Sequence, residues 1–93
     1  MIYNFNNKTV LITGGASGIG LEIANRYFEL NANIIICGRD KGKFQAAMDS
    51  ILQNNPNKSG ELLTYRCDMS CEKDVIEMVS DIKSKSIEIN ILV

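Results

Sequence analysis

A chain of 93 residues, 45% hydrophobic and 23% charged, suffices for one small domain and buries only a modest core. Ten basic against eleven acidic side chains leave a net charge of −1 with no basic run, which removes any electrostatic reason to expect nucleic acid or a membrane surface as main partner. No apolar stretch approaches the ~20 residues of a membrane span, and with no histidine and no Cys-x-x-Cys pair among three cysteines a zinc site is not expected and no metal ligand is assigned.

The N-terminal stretch Met1–Lys8 has neither a basic start nor a continuous apolar core, so no secretory signal is expected and the cytoplasm is the default location. Val10-Leu11-Ile12 reads as a short buried strand. It runs into Thr13-Gly14-Gly15-Ala16-Ser17-Gly18-Ile19-Gly20, which opens a segment, Leu21 to Leu30, with apolar residues at helical spacing. Ile19, Ile23, Tyr27 and Leu30 are expected along one side of this first helix, with Ala24 and Phe28 beside them. Asn31-Ala32-Asn33 ends it.

Asn33–Gly38 is a second strand, apolar through its centre as in a parallel sheet covered on both faces. Asp40 can cap a second helix in which Phe44, Ala47, Met48, Ile51 and Leu52 form the apolar stripe. Asn54–Gly60 reads as an exposed loop, and Glu61–Cys67 as a third strand suited to a sheet edge. Cys37 and Cys67 fall in these strands as small apolar core residues. Ser70 is the expected cap of a third helix with Val75, Met78, Val79 and Ile82 inward and Glu72 and Asp74 at its positive end. Glu88–Val93 begins a fourth strand.

Strands alternating with helices give an α/β fold, a Rossmann-type parallel sheet of order βαβαβαβ, equivalent to the N-terminal half of a doubly wound fold. In that pattern strand one lies between strands two and four, and strand three forms one edge. Residues 1–93 are read as one incomplete domain of this kind. The apolar fourth strand leaves an uncovered edge through which self-association is expected.

The glycines sit where a strand turns into a helix. The first amides of a helix carry partial positive charge and lack internal acceptors, so this turn has the chemistry of a pyrophosphate cradle. A mononucleotide loop is rejected: Gly15 and Gly20 have the right separation, but Leu21 stands where its lysine is required. Arg39 follows strand two, nineteen residues after Gly20, at the place where dinucleotide-binding folds read the adenosine ribose. A carboxylate there would repel a 2′-phosphate, whereas Gly38 leaves room and the Arg39 guanidinium can grip one with two hydrogen bonds. NADP(H) is therefore favoured, with NAD(H) possible; Asp40 would be the ribose reader if the strand ended later.

Thr13-Gly14-x-x-x-Gly18-Ile19-Gly20 resembles the cofactor signature of the short-chain dehydrogenase/reductase family. Lys8–Thr13 is similar to that family's first strand, Cys67-Asp68-Met69-Ser70 to the segment after its third strand, and Ile89–Val93 to the strand before its Asn-Asn-Ala-Gly motif. The resemblance spans nearly the whole chain. It implies cofactor-binding roles for Thr13, Gly14, Ser17, Gly18, Ile19 and Gly20, and an adenine contact for Asp68. It also implies an oxidoreductase that interconverts a small-molecule alcohol and carbonyl. The family's catalytic Tyr-x-x-x-Lys is absent: four residues after Tyr3, Tyr27 and Tyr65 come Asn7, Asn31 and Met69, so no catalytic residue is assigned and the chain alone is expected to be inactive. The alternative is a non-catalytic nucleotide-binding or interaction module.

Overall fold

A computed structural model describes residues 4–93; Tyr3 and the two residues before it lie outside the described part. Four strands, β1 (Thr9–Thr13), β2 (Asn33–Gly38), β3 (Leu62–Arg66) and β4 (Ile91–Leu92), alternate with three α-helices, α1 (Gly18–Glu29), α2 (Phe44–Asn54) and α3 (Glu72–Ser84). All pairings are parallel and the strand order is β3-β2-β1-β4, as expected from the sequence. Leu11 lies opposite Ile35 of β2 and Leu92 of β4, while Ile36 of β2 lies opposite Thr64 of β3.

Alternation along the two central strands divides the core. Val10, Ile12, Ile34 and Ile36 face α1 and α2, packing on Ala24, Phe28, Phe44 and Ile51. Leu11, Ile35 and Cys37 face the other way, onto Met78 and Ile82 of α3. Central strands that are apolar on both sides therefore place one helical layer on each face of the sheet.

Several local expectations need adjustment. The first helix begins at Gly18, three residues before Leu21, and its buried line is Ala24 and Phe28, both 0% exposed, while Ile19 is 81% exposed. Tyr27 is only partly buried, its ring meeting Phe5 edge-on at 5.4 Å. A Schellman turn closes α1: Asn31 adopts a left-handed φ of 74°, its amide donates to Phe28, and the Ala32 amide donates to Tyr27. Asp40 is the expected cap, but of a 3-10 turn (Lys41–Lys43) that precedes α2. On α2, Phe44, Ala47 and Ile51 are buried and Leu52 is exposed.

Asn55 is buried within the supposedly exposed loop, its side-chain amide donating to the Ile51 carbonyl at 2.9 Å and to Asn25 Oδ1 at 3.3 Å. The N-cap of α3 is Cys71, because Ser70 is engaged by Asp68. Met78 and Ile82 form the buried line of α3, and Val79 is exposed. Regular pairing of β4 covers only Ile91–Leu92, though backbone bonds to β1 run from Asn90 to Val93. No helix among the described residues is long and apolar enough to cross a membrane.

Candidate functional site

The turn from β1 into α1 is built by three glycines with two different constraints. Gly14 and Gly18 have positive φ values of 68° and 57°, which L side chains rarely adopt. Gly20 lies in the first turn of α1, where a Cβ would overlap the Gly14 carbonyl and stand 3.0 Å from the Gly15 Cα. Absence of a side chain at Gly20 thus lets the loop fold back onto the helix that it starts.

The amide of Gly14 donates to the Cys37 carbonyl at 2.8 Å, which pins the loop to the end of β2. Ser17 occupies the N-cap position with extended backbone, and its side chain makes no capping bond. The first helical amide found to have a backbone acceptor outside the helix is Leu21, which donates to Ser17 at 3.3 Å. The amides of Gly18, Ile19 and Gly20 have no acceptor among the described residues. These are the donors on which the partial positive charge of α1 is concentrated.

Two adjoining hollows open at this end of the sheet. One, of about 220 Å³, is lined by Gly14, Ser17, Gly38, Arg39, Asp40 and Lys43 among others. The second, of about 330 Å³, shares Gly14, Gly38 and Arg39 and continues to Cys67, Asp68 and Ser70. Together they follow the C-terminal ends of β1, β2 and β3, the position where open parallel sheets take ligands. Larger hollows of about 350 and 410 Å³ lie at the opposite end of the sheet and beside the end of α2, where no helix start contributes free amides.

Arg39 is exposed and has no acidic partner among the described residues. Asp40, its neighbour, accepts from the Gly42 amide at 3.0 Å. Lys43, which the sequence reading passed over, lines the same hollow four residues after Arg39. Its signal was present: Arg39-Asp40-Lys41-Gly42-Lys43 is one tight turn long, so the first and last cations return to the same side.

Asp68 accepts through one oxygen from both the Ser70 amide, at 2.9 Å, and the Ser70 hydroxyl, at 2.6 Å. Those two bonds, aided by the positive charge of Arg39 and Arg66, hold its carboxyl below the ordinary 3.8. Its backbone amide donates to Asp74 Oδ2 at 3.0 Å, and the same oxygen accepts from Arg66 at 2.7 Å. Asp74 at the start of α3 therefore positions the Asp68 segment, a role invisible in the sequence because it depends on how α3 docks.

Of the residues expected at the site, Gly14, Ser17, Arg39 and Asp68 line the two hollows, while Gly18 and Gly20 line neither and follow Ser17 in the chain with unpartnered amides. Thr13 instead donates its hydroxyl to the Val93 carbonyl at 3.1 Å, tying β1 to the end of the chain. Ile19 lines neither hollow, its amide has no acceptor among the described residues, and its side chain stands in solvent.

The family model for short chain dehydrogenase matches residues 8–93. An uncharacterized oxidoreductase, DltE, from Bacillus subtilis is 44% identical over 64 residues, covering 69% of this chain and 22% of that protein. Among solved structures, L-sorbose reductase from Gluconobacter frateurii, complexed with NADPH and L-sorbose, superposes with a TM-score of 0.86 at 26% identity, over 99% of this chain and 34% of that one. NAD⁺-bound xylitol dehydrogenase superposes with a TM-score of 0.83 at 28% identity, over 95% and 32% respectively. The chain spans between about a fifth and a third of the length of the curated relatives it matches. With the parallel sheet, the glycine turn and a family match over almost its full extent, the chain belongs to the short-chain dehydrogenase/reductase family.

Proposed function

We propose that this chain is the nucleotide-binding portion of an NADP(H)-dependent short-chain oxidoreductase that interconverts an alcohol and a carbonyl. The observation that carries the reading is the run of unpartnered amides at Gly18, Ile19 and Gly20, opening beside a hollow that holds the cations Arg39 and Lys43. A dinucleotide fits this donor set. Helix-start amides suit a diphosphate, and a guanidinium beside an ammonium suits a further phosphate on the ribose.

In this reading Gly14, Gly18 and Gly20 shape the cradle, and Ser17 adds a hydroxyl that the helix cap leaves unused. Thr13 holds the end of β1 under the turn, and Ile19 supplies an amide. Asp68, with one oxygen taken by Ser70, offers the other to the exocyclic amine of adenine. One of the two similar solved structures is complexed with NADPH and the other is NAD⁺-bound, so the preference for NADP(H) rests on Arg39, on Lys43, and on the engagement of Asp40 by Gly42. Bound there, the nicotinamide cofactor supplies hydride chemistry. This chain's residues hold and orient it, and no residue of the chain is assigned to proton handling.

The test is fluorescence titration of the protein with NADPH and with NADH. Arg39→Ala removes a charge-assisted phosphate contact and is expected to weaken NADPH about 10- to 100-fold. NADH affinity should change by less than about threefold, because the lost bond is to a group that NADH lacks. Equal losses for both cofactors would overturn the phosphate-reading role.

A further inference from the structure

Three sulfur atoms meet on the floor of the larger site hollow. Cys37, on β2, and Cys67, just after β3, are 0% and 1% exposed, and Met69 lies over both with its Sδ 3.9 Å from Cys37 Sγ and 3.8 Å from Cys67 Sγ. Met69 is 46% exposed, so a flexible side chain that reaches solvent lies over the two buried thiols. All three cysteines are free thiols. All three clustered residues line the hollow shared with Arg39 and Asp68.

From this juxtaposition we infer that Cys37, Cys67 and Met69 form a binding site for one Cu(I) ion. With metal–sulfur bonds of roughly 2.3 Å, three sulfurs around one ion lie about 3.8 Å apart at tetrahedral corners and about 4.0 Å apart at trigonal ones. The separations of Met69 from Cys37 and from Cys67 fall in that interval. Two thiolates and a thioether are a soft donor set, which selects Cu(I) over hard cations. Zinc takes three or four His, Cys, Asp or Glu ligands, and no group of three such residues capable of holding a metal occurs among the described residues. On ligation each thiol releases one proton, so the filled site carries a net charge of −1. Arg39, a lining residue of the same hollow, supplies positive charge beside it.

Reduced protein, held without oxygen, is titrated with Cu(I) against a chromogenic Cu(I) chelator, with the ultraviolet thiolate-to-copper band recorded in parallel. One equivalent bound per chain is expected. Met69→Leu preserves the packing and should leave the melting temperature within about 2 °C. It should also weaken Cu(I) binding at least about tenfold, a loss that even outer-shell partners of a metal can cause. Cys71→Ser should bind Cu(I) unchanged, and Cys67→Ala should not bind it. Retention of all copper by the chelator, unchanged affinity in Met69→Leu, or loss in Cys71→Ser would overturn the site; should Cys67→Ala fail to fold, Met69→Leu decides.

The site's effect on cofactor rests on the nucleotide reading above. Copper-loaded protein should bind NADPH more weakly than metal-free protein, since both occupy one cleft. Failure of the metal-free protein to bind NADPH would count against the nucleotide reading, while the copper titration would still decide the metal site.

Discussion

At Gly20 a single hydrogen atom decides whether the loop can exist. Its missing Cβ is the space taken by the Gly14 carbonyl, so substitution pushes backbone against backbone, with no flexible side chain to yield. Gly18 differs: a Cβ there meets nothing within 4 Å, and the obstacle is its φ of 57°. Gly18→Ala should therefore cost about 1–2 kcal/mol of local strain. Gly20→Ala should cost about 1–3 kcal/mol and also displace the Gly14–Gly15 loop, abolishing NADPH binding. Urea unfolding and cofactor titration of both variants check this, and a Gly20→Ala protein that binds NADPH normally would contradict it. The spacing of these glycines was legible in the sequence. Which of them needed a left-handed backbone and which needed empty space was not, because the second constraint comes from a residue six positions away folding back.

The helices were legible as stripes but not in phase. On α1 the apolar residues cover so wide an arc that Ile19, Ile23, Tyr27 and Leu30 compete with Ala24 and Phe28 for the buried line, and docking onto Ile12 and Ile36 of the sheet selects the second set. Phe28→Ala should accordingly cost about 3–5 kcal/mol. Ile19→Ala should fall within about 0.5 kcal/mol, measured in the same denaturant series. Similar losses at both positions would mean that α1 is rotated from its described setting. The cap of α3 illustrates the same limit. Ser70 is a good cap by residue type, yet its amide and hydroxyl both go to Asp68, and the helix begins one residue later than that assignment requires.

For the whole molecule, the titrating groups predict a broad stability plateau with two shoulders. The chain has no histidine, so no side chain has an ordinary pKa between pH 5 and 8. On the acid side, hydrogen bonds from Ser70 to Asp68 and from Lys85 and Tyr65 to Asp81 hold both carboxyls below the ordinary 3.8. Lowered folded values mean that their contribution is complete above 3.8 and is lost as pH falls through the folded values.

On the alkaline side the shifts are all upward. Burial, reinforced by the nearby Cys67, pushes the Cys37 thiol from 9.0 to about 11. Burial also raises Cys67 and Tyr65, and the bonds of Lys85 to Asp81 and Tyr65 raise its ammonium from 10.5 to about 12. Raised folded values contribute fully below the unfolded values and are lost as pH climbs through the folded ones. Stability measured by denaturant should thus decline from about pH 9 upward. Cys37→Ala should flatten the decline between 9.0 and about 11, and an unchanged slope would refute the assignment.

What the sequence determined by itself was the alternation of strands and helices, the parallel sheet and the glycine turn, because hydrophobic period and backbone permission are local properties. Arg39 was legible for a related reason: it immediately follows β2, and strand ends converge at one edge of a parallel sheet, whereas Asp68, two residues past β3, was reached through the family resemblance. Tertiary structure alone decided which helical faces are buried and that Lys43 joins Arg39. It also set the anchoring of Asp68 through Asp74 and the meeting of Met69 with Cys37 and Cys67. Those depend on contacts between residues far apart in the chain, whose relative placement is set by packing and not by any local pattern.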